Sequence, residues 1–284
     1  MNGGAPLVWK SGTIHAAGAS VATFETGSGE PGAPVVVLLH GLGQWTDAAW
    51  GRLVPELPSG IRYLGCDLPG FGASEKPPAP YDLPYFRRVL DDLVAAYELR
   101  RFALLGHSLG AFLAADYAAA HPERVERLAL VAPAGFSRVP RHVVYALAGY
   151  FARWVFTHRP SRRFVARTLA RSVVDAASLD PALVERTYAL AQEPGLRRAF
   201  AGVYAGALRT FADPRAVRTG FARYRGPVFC AWGARDRFIP VAGLQAVRAV
   251  YPHARTLVLG ESGHLPMLEE PARLGAELRG FLAG

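Results

Sequence analysis

The sequence predicts an α/β fold: a mostly parallel sheet flanked by helices and carrying a helical insertion. Three observations predict it. Continuous aliphatic runs such as Val35–Leu39, Phe102–Leu105 and Val125–Val131 have the pattern of parallel strands buried on both faces. Stretches with apolar residues at helical spacing alternate with them, most clearly Leu83–Leu99 through Phe86, Val89, Leu90, Leu93, Val94 and Tyr97. Finally, Gly106-His107-Ser108-Leu109-Gly110 stands between a strand and an alanine-rich helix. Glycines on either side of the serine let the backbone turn sharply and lift its hydroxyl clear of the sheet.

The elements follow in chain order. Thr13 to Glu25 alternate loosely up to Gly27-Ser28-Gly29, a peripheral hairpin. Val35–Leu39 begins the core and ends in His40-Gly41-Leu42-Gly43. Asp47–Leu57 reads as a short helix, and Ile61–Cys66 as a strand running into Asp67-Leu68-Pro69-Gly70. Pro77 to Pro80 form a stiff connection to the helix Leu83–Leu99. The strand Phe102–Leu105, the serine turn and the helix Ala111–Ala120 come next. The strand Val125–Val131 ends without a carboxylate, whereas Pro227–Trp232 runs into Gly233-Ala234-Arg235-Asp236. A helix over Val241–Val250 and a strand over Arg255–Leu259 lead to Gly263-His264, and Pro271–Leu282 forms the last helix.

Composition narrows the function. A chain of 284 residues, 51% of them hydrophobic, can bury one large core with an insertion. The first six residues lack the charged and apolar regions of a secretory signal. The best candidate span, Val143–Thr157, is short and contains Arg153, so a soluble cytoplasmic protein is expected. Cys66 and Cys230, the only cysteines, each lie in an apolar strand and read as small buried hydrophobes. Neither a disulfide framework nor a metal site is expected. The net charge of +9 is concentrated in Arg138–Arg225, which holds 16 arginines against 5 acidic residues. A solvated face is the favoured reading, and peripheral membrane contact through this basic segment the disfavoured one. Without a recognisable binding motif beside the charge, a nucleic-acid partner is not expected.

Five segments together resemble the α/β-hydrolase fold family, in its serine-nucleophile, esterase-like branch. They are the Gly106–Gly110 pentapeptide, His40-Gly41 at a strand end, the Asp67 turn, Gly233-x-x-Asp236, and Gly263-His264 followed by Leu268-Glu269-Glu270-Pro271. The resemblance spans nearly the whole chain apart from its middle. It implies an eight-stranded, mostly parallel sheet with a helical cap inserted after the sixth strand. Residues 1–137 would be the first part of the core, 138–225 the cap and 226–284 the second part. It further implies Ser108 as nucleophile, His264 as base and Asp236 as the acid behind the base. The backbone N–H groups of Leu42 and Leu109 would form an oxyanion hole. His40 and Asp67 are expected to hold loops rather than to act in catalysis. In the insertion, the apolar helical face from Val143 to Val155 is expected to pack on the core; the alternative is a substrate-tunnel wall or a lid that touches lipid, with Leu147, Phe151 and Trp154 as candidate substrate-pocket residues. Arg138, Arg141, Arg153, Arg159, Arg162 and Arg163 surround this face.

These residue types suit acyl transfer. A serine hydroxyl is a weak nucleophile until an imidazole takes its proton, and an acid behind the ring fixes its tautomer. The expected activity is cofactor-free hydrolysis of small-molecule carboxylic esters through an acyl-enzyme. Hydrolysis of a carbon–carbon bond in a vinylogous diketone uses the same triad and is the alternative. A non-catalytic binding protein would be signalled by a missing triad member, and none is missing. Dehalogenase and epoxide hydrolase activities are disfavoured, because relatives of those kinds carry aspartate where this chain has Ser108.

Overall fold

A hairpin opens the chain. β1 (Lys10–Ala16) pairs antiparallel with β2 (Ala19–Gly27), and β2 pairs antiparallel with β4 (Arg62–Cys66). From there the sheet is parallel, through β3 (Val35–Leu39), β5 (Phe102–His107), β6 (Val125–Val131), β7 (Val228–Gly233) and β8 (Arg255–Leu259). The eight strands lie in the order β1-β2-β4-β3-β5-β6-β7-β8. The computed structural model describes residues 7–136, 159–210 and 219–283.

The aliphatic runs become central strands because both of their faces are covered. Val37, Leu39, Leu104, Leu128, Leu130, Cys230 and Trp232 pack on one face against α2 (Leu83–Ala96), α3 (Leu109–Ala120) and α7 (Leu244–Val250). Their neighbours Val36, Leu38, Ala103, Leu105, Ala129, Val131, Phe229 and Ala231 pack on the other face. There they meet α1 (Thr46–Trp50) and the C-terminal helix α9 (Pro271–Ala283). The strict alternation follows from the two-residue period of a strand. Cys66 on β4 and Cys230 on β7 are both free and buried, with three strands between them. Burial pushes the Cys66 thiol up to about 12.

Three helices differ from the sequence expectation. The helix expected over Asp47–Leu57 is only α1, followed by a separate 3-10 turn at Val54–Glu56. The α-helix ends at Trp50, and Pro55, which has no N–H to extend an α-helical ladder, sits in the first turn of the 3-10 segment. Over Val241–Val250 a 3-10 turn at Val241–Gly243 precedes α7. At the end of α2, Glu98 takes a positive φ of 51°, and the helix stops at Ala96 instead of reaching Leu99.

Between β6 and β7 the described residues form α4 (Arg162–Ser172), α5 (Pro181–Ala191) and α6 (Pro194–Thr210). Ser161 caps α4 by accepting from the Phe164 N–H, and Asp180 caps α5 by accepting from that of Ala182. α6 buries Leu196, Ala199 and Val203 at helical spacing. Beside them, the Phe200 ring meets Phe71 edge to face at 5.7 Å and abuts Gly43, on the loops that follow β4 and β3. The candidate pocket residues Leu147, Phe151 and Trp154 lie outside the described residues, as do Arg138, Arg141 and Arg153. Arg159, Arg162 and Arg163 are exposed, and Arg162 pairs with Glu185.

Candidate active site

The site grows out of the turn between β5 and α3. Ser108 adopts φ 52° and ψ −112°, a conformation that costs a non-glycine residue on the order of 1–3 kcal/mol. The surroundings over-determine it. Its N–H donates to the Val131 carbonyl at 2.9 Å, and its own carbonyl accepts from the N–H groups of Phe112 and Ala134, each at 3.1 Å. A Cβ on Gly106 would lie 2.5 Å from the Gly110 carbonyl oxygen, and one on Gly110 only 2.1 Å from that of Leu39. Helix α3 can therefore start against the end of β3 only because both positions are glycine.

Asp236 and His264 approach from the loops after β7 and β8. Asp236 Oδ1 accepts from the N–H groups of Phe238 and Ile239, each at 2.8 Å, which aims Oδ2 at the ring of His264. The Oδ2 to His264 Nδ1 distance is 2.7 Å, and the Asp236 side chain is fully buried. With the Nδ1 proton donated to the carboxylate, Nε2 presents its lone pair to Ser108 Oγ, 3.1 Å away. The three side chains read together in the sequence are thus brought together, in an arrangement able to draw a proton from the serine hydroxyl.

Leu42 lies in the turn after β3 and Leu109 is the first residue of α3. Among the described residues, neither N–H has a hydrogen-bond partner. The N–H of Leu109 has no intrahelical acceptor, because it begins the helix. His40 is buried in the same loop, its Nδ1 2.8 Å from the Gly41 carbonyl, and its Nε2 accepts from the Leu68 N–H at 2.9 Å. Asp67 takes the N–H groups of Thr46 at 2.7 Å and Ala73 at 2.8 Å. Both residues tie loops together, in line with the sequence reading.

Sequence reasoning passed over His107. Its ring lies 4.9 Å from that of His264, its Nε2 is 2.8 Å from the His264 carbonyl, and its Nδ1 is 2.8 Å from Gln44 Oε1. Gln44 Oε1 also accepts from the Gly41 N–H at 2.9 Å. This imidazole lies between the loop after β3 and the loop after β8, and in its neutral form it donates to one of the two oxygens. Burial, reinforced by the neighbouring His264, holds the His107 pKa well below the usual histidine range. The strand period was the available signal, since it places His107 on the face of Ala103 and Leu105, over which the His264 loop folds. Phe238, exposed and 5.6 Å from the His264 ring, was also missed, and no pattern in the sequence marks it.

Comparisons with known proteins identify the family. The chain is 29% identical over 277 residues to 2-hydroxymuconate semialdehyde hydrolase of a Pseudomonas species, covering 95% of this chain and 93% of the relative. It is 30% identical over 242 residues to pimeloyl-[acyl-carrier protein] methyl ester esterase of Aeromonas hydrophila, covering 84% and 91%. The crystal structure of 2-hydroxy-6-oxo-6-phenylhexa-2,4-dienoate hydrolase from a Rhodococcus species superposes with a TM-score of 0.82 at 21% identity. That match covers 98% of this chain and all of the other, a likeness of fold. A family model described as alpha/beta hydrolase fold matches residues 34–271, from the threshold of β3 to the start of α9, and the chain belongs to that family.

Proposed function

We propose that this protein is a serine hydrolase that cleaves small carboxylic esters through an acyl-enzyme, with Ser108 as nucleophile, His264 as base and Asp236 as the orienting acid. The observation that carries the reading is the unbroken line from Ser108 Oγ to His264 Nε2 at 3.1 Å and from His264 Nδ1 to Asp236 Oδ2 at 2.7 Å. As Oγ attacks the acyl carbon its proton passes to Nε2, and the buried carboxylate stabilises the imidazolium. The carbonyl oxygen gains negative charge, which the N–H groups of Leu42 and Leu109 would meet, helped by the helix dipole at the start of α3. The imidazolium returns the proton to the departing alkoxide. A water molecule then repeats the sequence and frees Ser108.

A second reading is hydrolysis of a carbon–carbon bond next to a vinylogous carbonyl. It draws on the likeness to 2-hydroxymuconate semialdehyde hydrolase over nearly the full length of both chains. The ester reading draws on the methyl ester esterase at comparable identity. A panel of p-nitrophenyl acyl esters of increasing length, run beside a vinylogous diketone, separates them. Ester turnover well above that of the diketone is expected, and diketone cleavage with no ester turnover would replace the first reading by the second.

A further inference from the structure

His264 is held by its backbone as well as by its ring. The Gly263 N–H donates to Glu269 Oε2 at 2.8 Å and the His264 N–H to the Ser172 carbonyl at 2.7 Å, while the His264 carbonyl faces His107 Nε2. Glu269 closes α8 (Pro266–Glu269), and its second oxygen accepts from the Val174 N–H at 2.6 Å. Ser172 and Val174 belong to the insertion. α4 ends at Ser172, and the chain then passes through Val173, buried and extended at φ −117° and ψ 164°. A ring of hydrogen bonds therefore runs from His264 to Ser172, along the chain to Val174, across Glu269 and back to Gly263.

We propose that Glu269 is a positioning residue that couples the insertion to His264, so that the place of the imidazole follows the place of segment 172–174. The proposal rests on the reading of His264 as the base. A carboxylate is the side chain that fits, because it offers one oxygen to each of two N–H donors on different segments and binds both as a charged acceptor. Burial raises the carboxyl of Glu269, and its backbone donors Val174, Gly263 and Leu265 oppose that rise. The adjacent Glu270 has a different task. It accepts from the Ser262 hydroxyl at 2.6 Å and the Glu261 N–H at 3.1 Å, bracing the far side of the loop. A displacement of segment 172–174 then reaches the His264 loop by two routes, through Glu269 to Gly263 and through the Ser172 carbonyl to the His264 N–H.

The test removes one link from both of its ends. Glu269→Gln keeps the shape but leaves one N–H facing an amide NH2. Val174→Pro deletes the donor on the other side, and the extended backbone of Val173 already suits a following proline. Each variant should lose about tenfold or more in kcat on the best ester of the panel, with KM within about threefold, as expected for a displaced catalytic group. The double variant should lose no more than the worse single, because both remove the same interaction. In substrate-free protein, the NMR signal of the His264 Nδ1 proton should move in both singles and stay in place in Glu277→Gln, whose partner is Arg255 at the start of β8. Multiplicative losses in the double variant, or folded singles with unchanged kcat and an unmoved Nδ1 signal, would overturn the proposal. If Glu269→Gln does not fold, Val174→Pro carries the test through the same two readouts. Failure of the underlying reading has another signature: turnover that survives Ser108→Ala while the Nδ1 signal still responds to Val174→Pro.

Discussion

At the scale of single residues, two carboxylates of similar burial do opposite work. Asp236 spends one oxygen on two backbone N–H groups and leaves the other for the imidazole, whereas both oxygens of Asp67 are taken by the backbone of Thr46 and Ala73. Asp236→Asn should keep the loop but favour the wrong imidazole tautomer, lowering kcat by roughly 10⁴-fold at unchanged thermal midpoint. Asp67→Asn should lower the midpoint while the folded fraction keeps its kcat. Steady-state kinetics beside thermal melts of both variants check this, and the reverse pattern would exchange the two roles. The placement of both acids was readable in the sequence because each follows a strand run in a motif that the resemblance identifies. His107 was not read, since the strand period gives the face it lies on but not its partner in a loop 157 residues away.

At the scale of elements, the turn at Ser108 is tightly constrained. A methyl group on Gly110 would be forced within 2.1 Å of the Leu39 oxygen and 2.6 Å of the His40 oxygen, both main-chain atoms that cannot rotate away. Gly110→Ala should therefore push α3 off the end of β3 and pull Ser108 Oγ out of reach of His264. The expected loss in kcat/KM is about 10²-fold or more, with the helix content retained. Circular dichroism and kinetics on the purified variant decide it, and near-wild-type activity would show that the turn has slack. The strands and long helices were readable because alternating burial and helical spacing act locally. Helix ends were less so: the end of α1 at Trp50 and that of α2 at Ala96 depend on which local turn the surrounding packing selects.

At the scale of the whole molecule, stability should depend on pH through two buried histidines. Burial lowers the pKa of both His40 and His107 from 6.5. Below that value the unfolded chain binds protons that the native state refuses, so the free energy of unfolding falls as the pH drops. Each histidine contributes about 1.4 kcal/mol per pH unit, until its own folded-state pKa is reached. Urea midpoints should therefore decline from pH 7 to pH 5.5 and be level between pH 7 and pH 8, and His107→Asn should make the decline shallower. A flat profile below pH 6.5 would mean that these rings are protonated in the native state. The charge of the insertion follows a different logic. Turnover of dissolved neutral esters should not change with salt, because arginines screened over a Debye length of about 8 Å at physiological ionic strength do not attract an uncharged substrate. The core could be read at this scale from its aliphatic runs, but the substrate could not. An insertion is shaped by contacts with loops far away in sequence, as α6 is through Phe200 against Phe71, and composition does not encode those contacts.

The central claim is that Ser108 carries the acyl group, and direct trapping tests it. Wild-type protein mixed with excess p-nitrophenyl acetate, quenched in acid during the first turnover and digested for peptide mass spectrometry, should carry one acetyl group on Ser108. Ser108→Ala should show neither the adduct nor a nitrophenolate burst, with turnover lowered by about 10³-fold or more. A burst with the acetyl group on another residue, or full turnover by folded Ser108→Ala, would contradict the account.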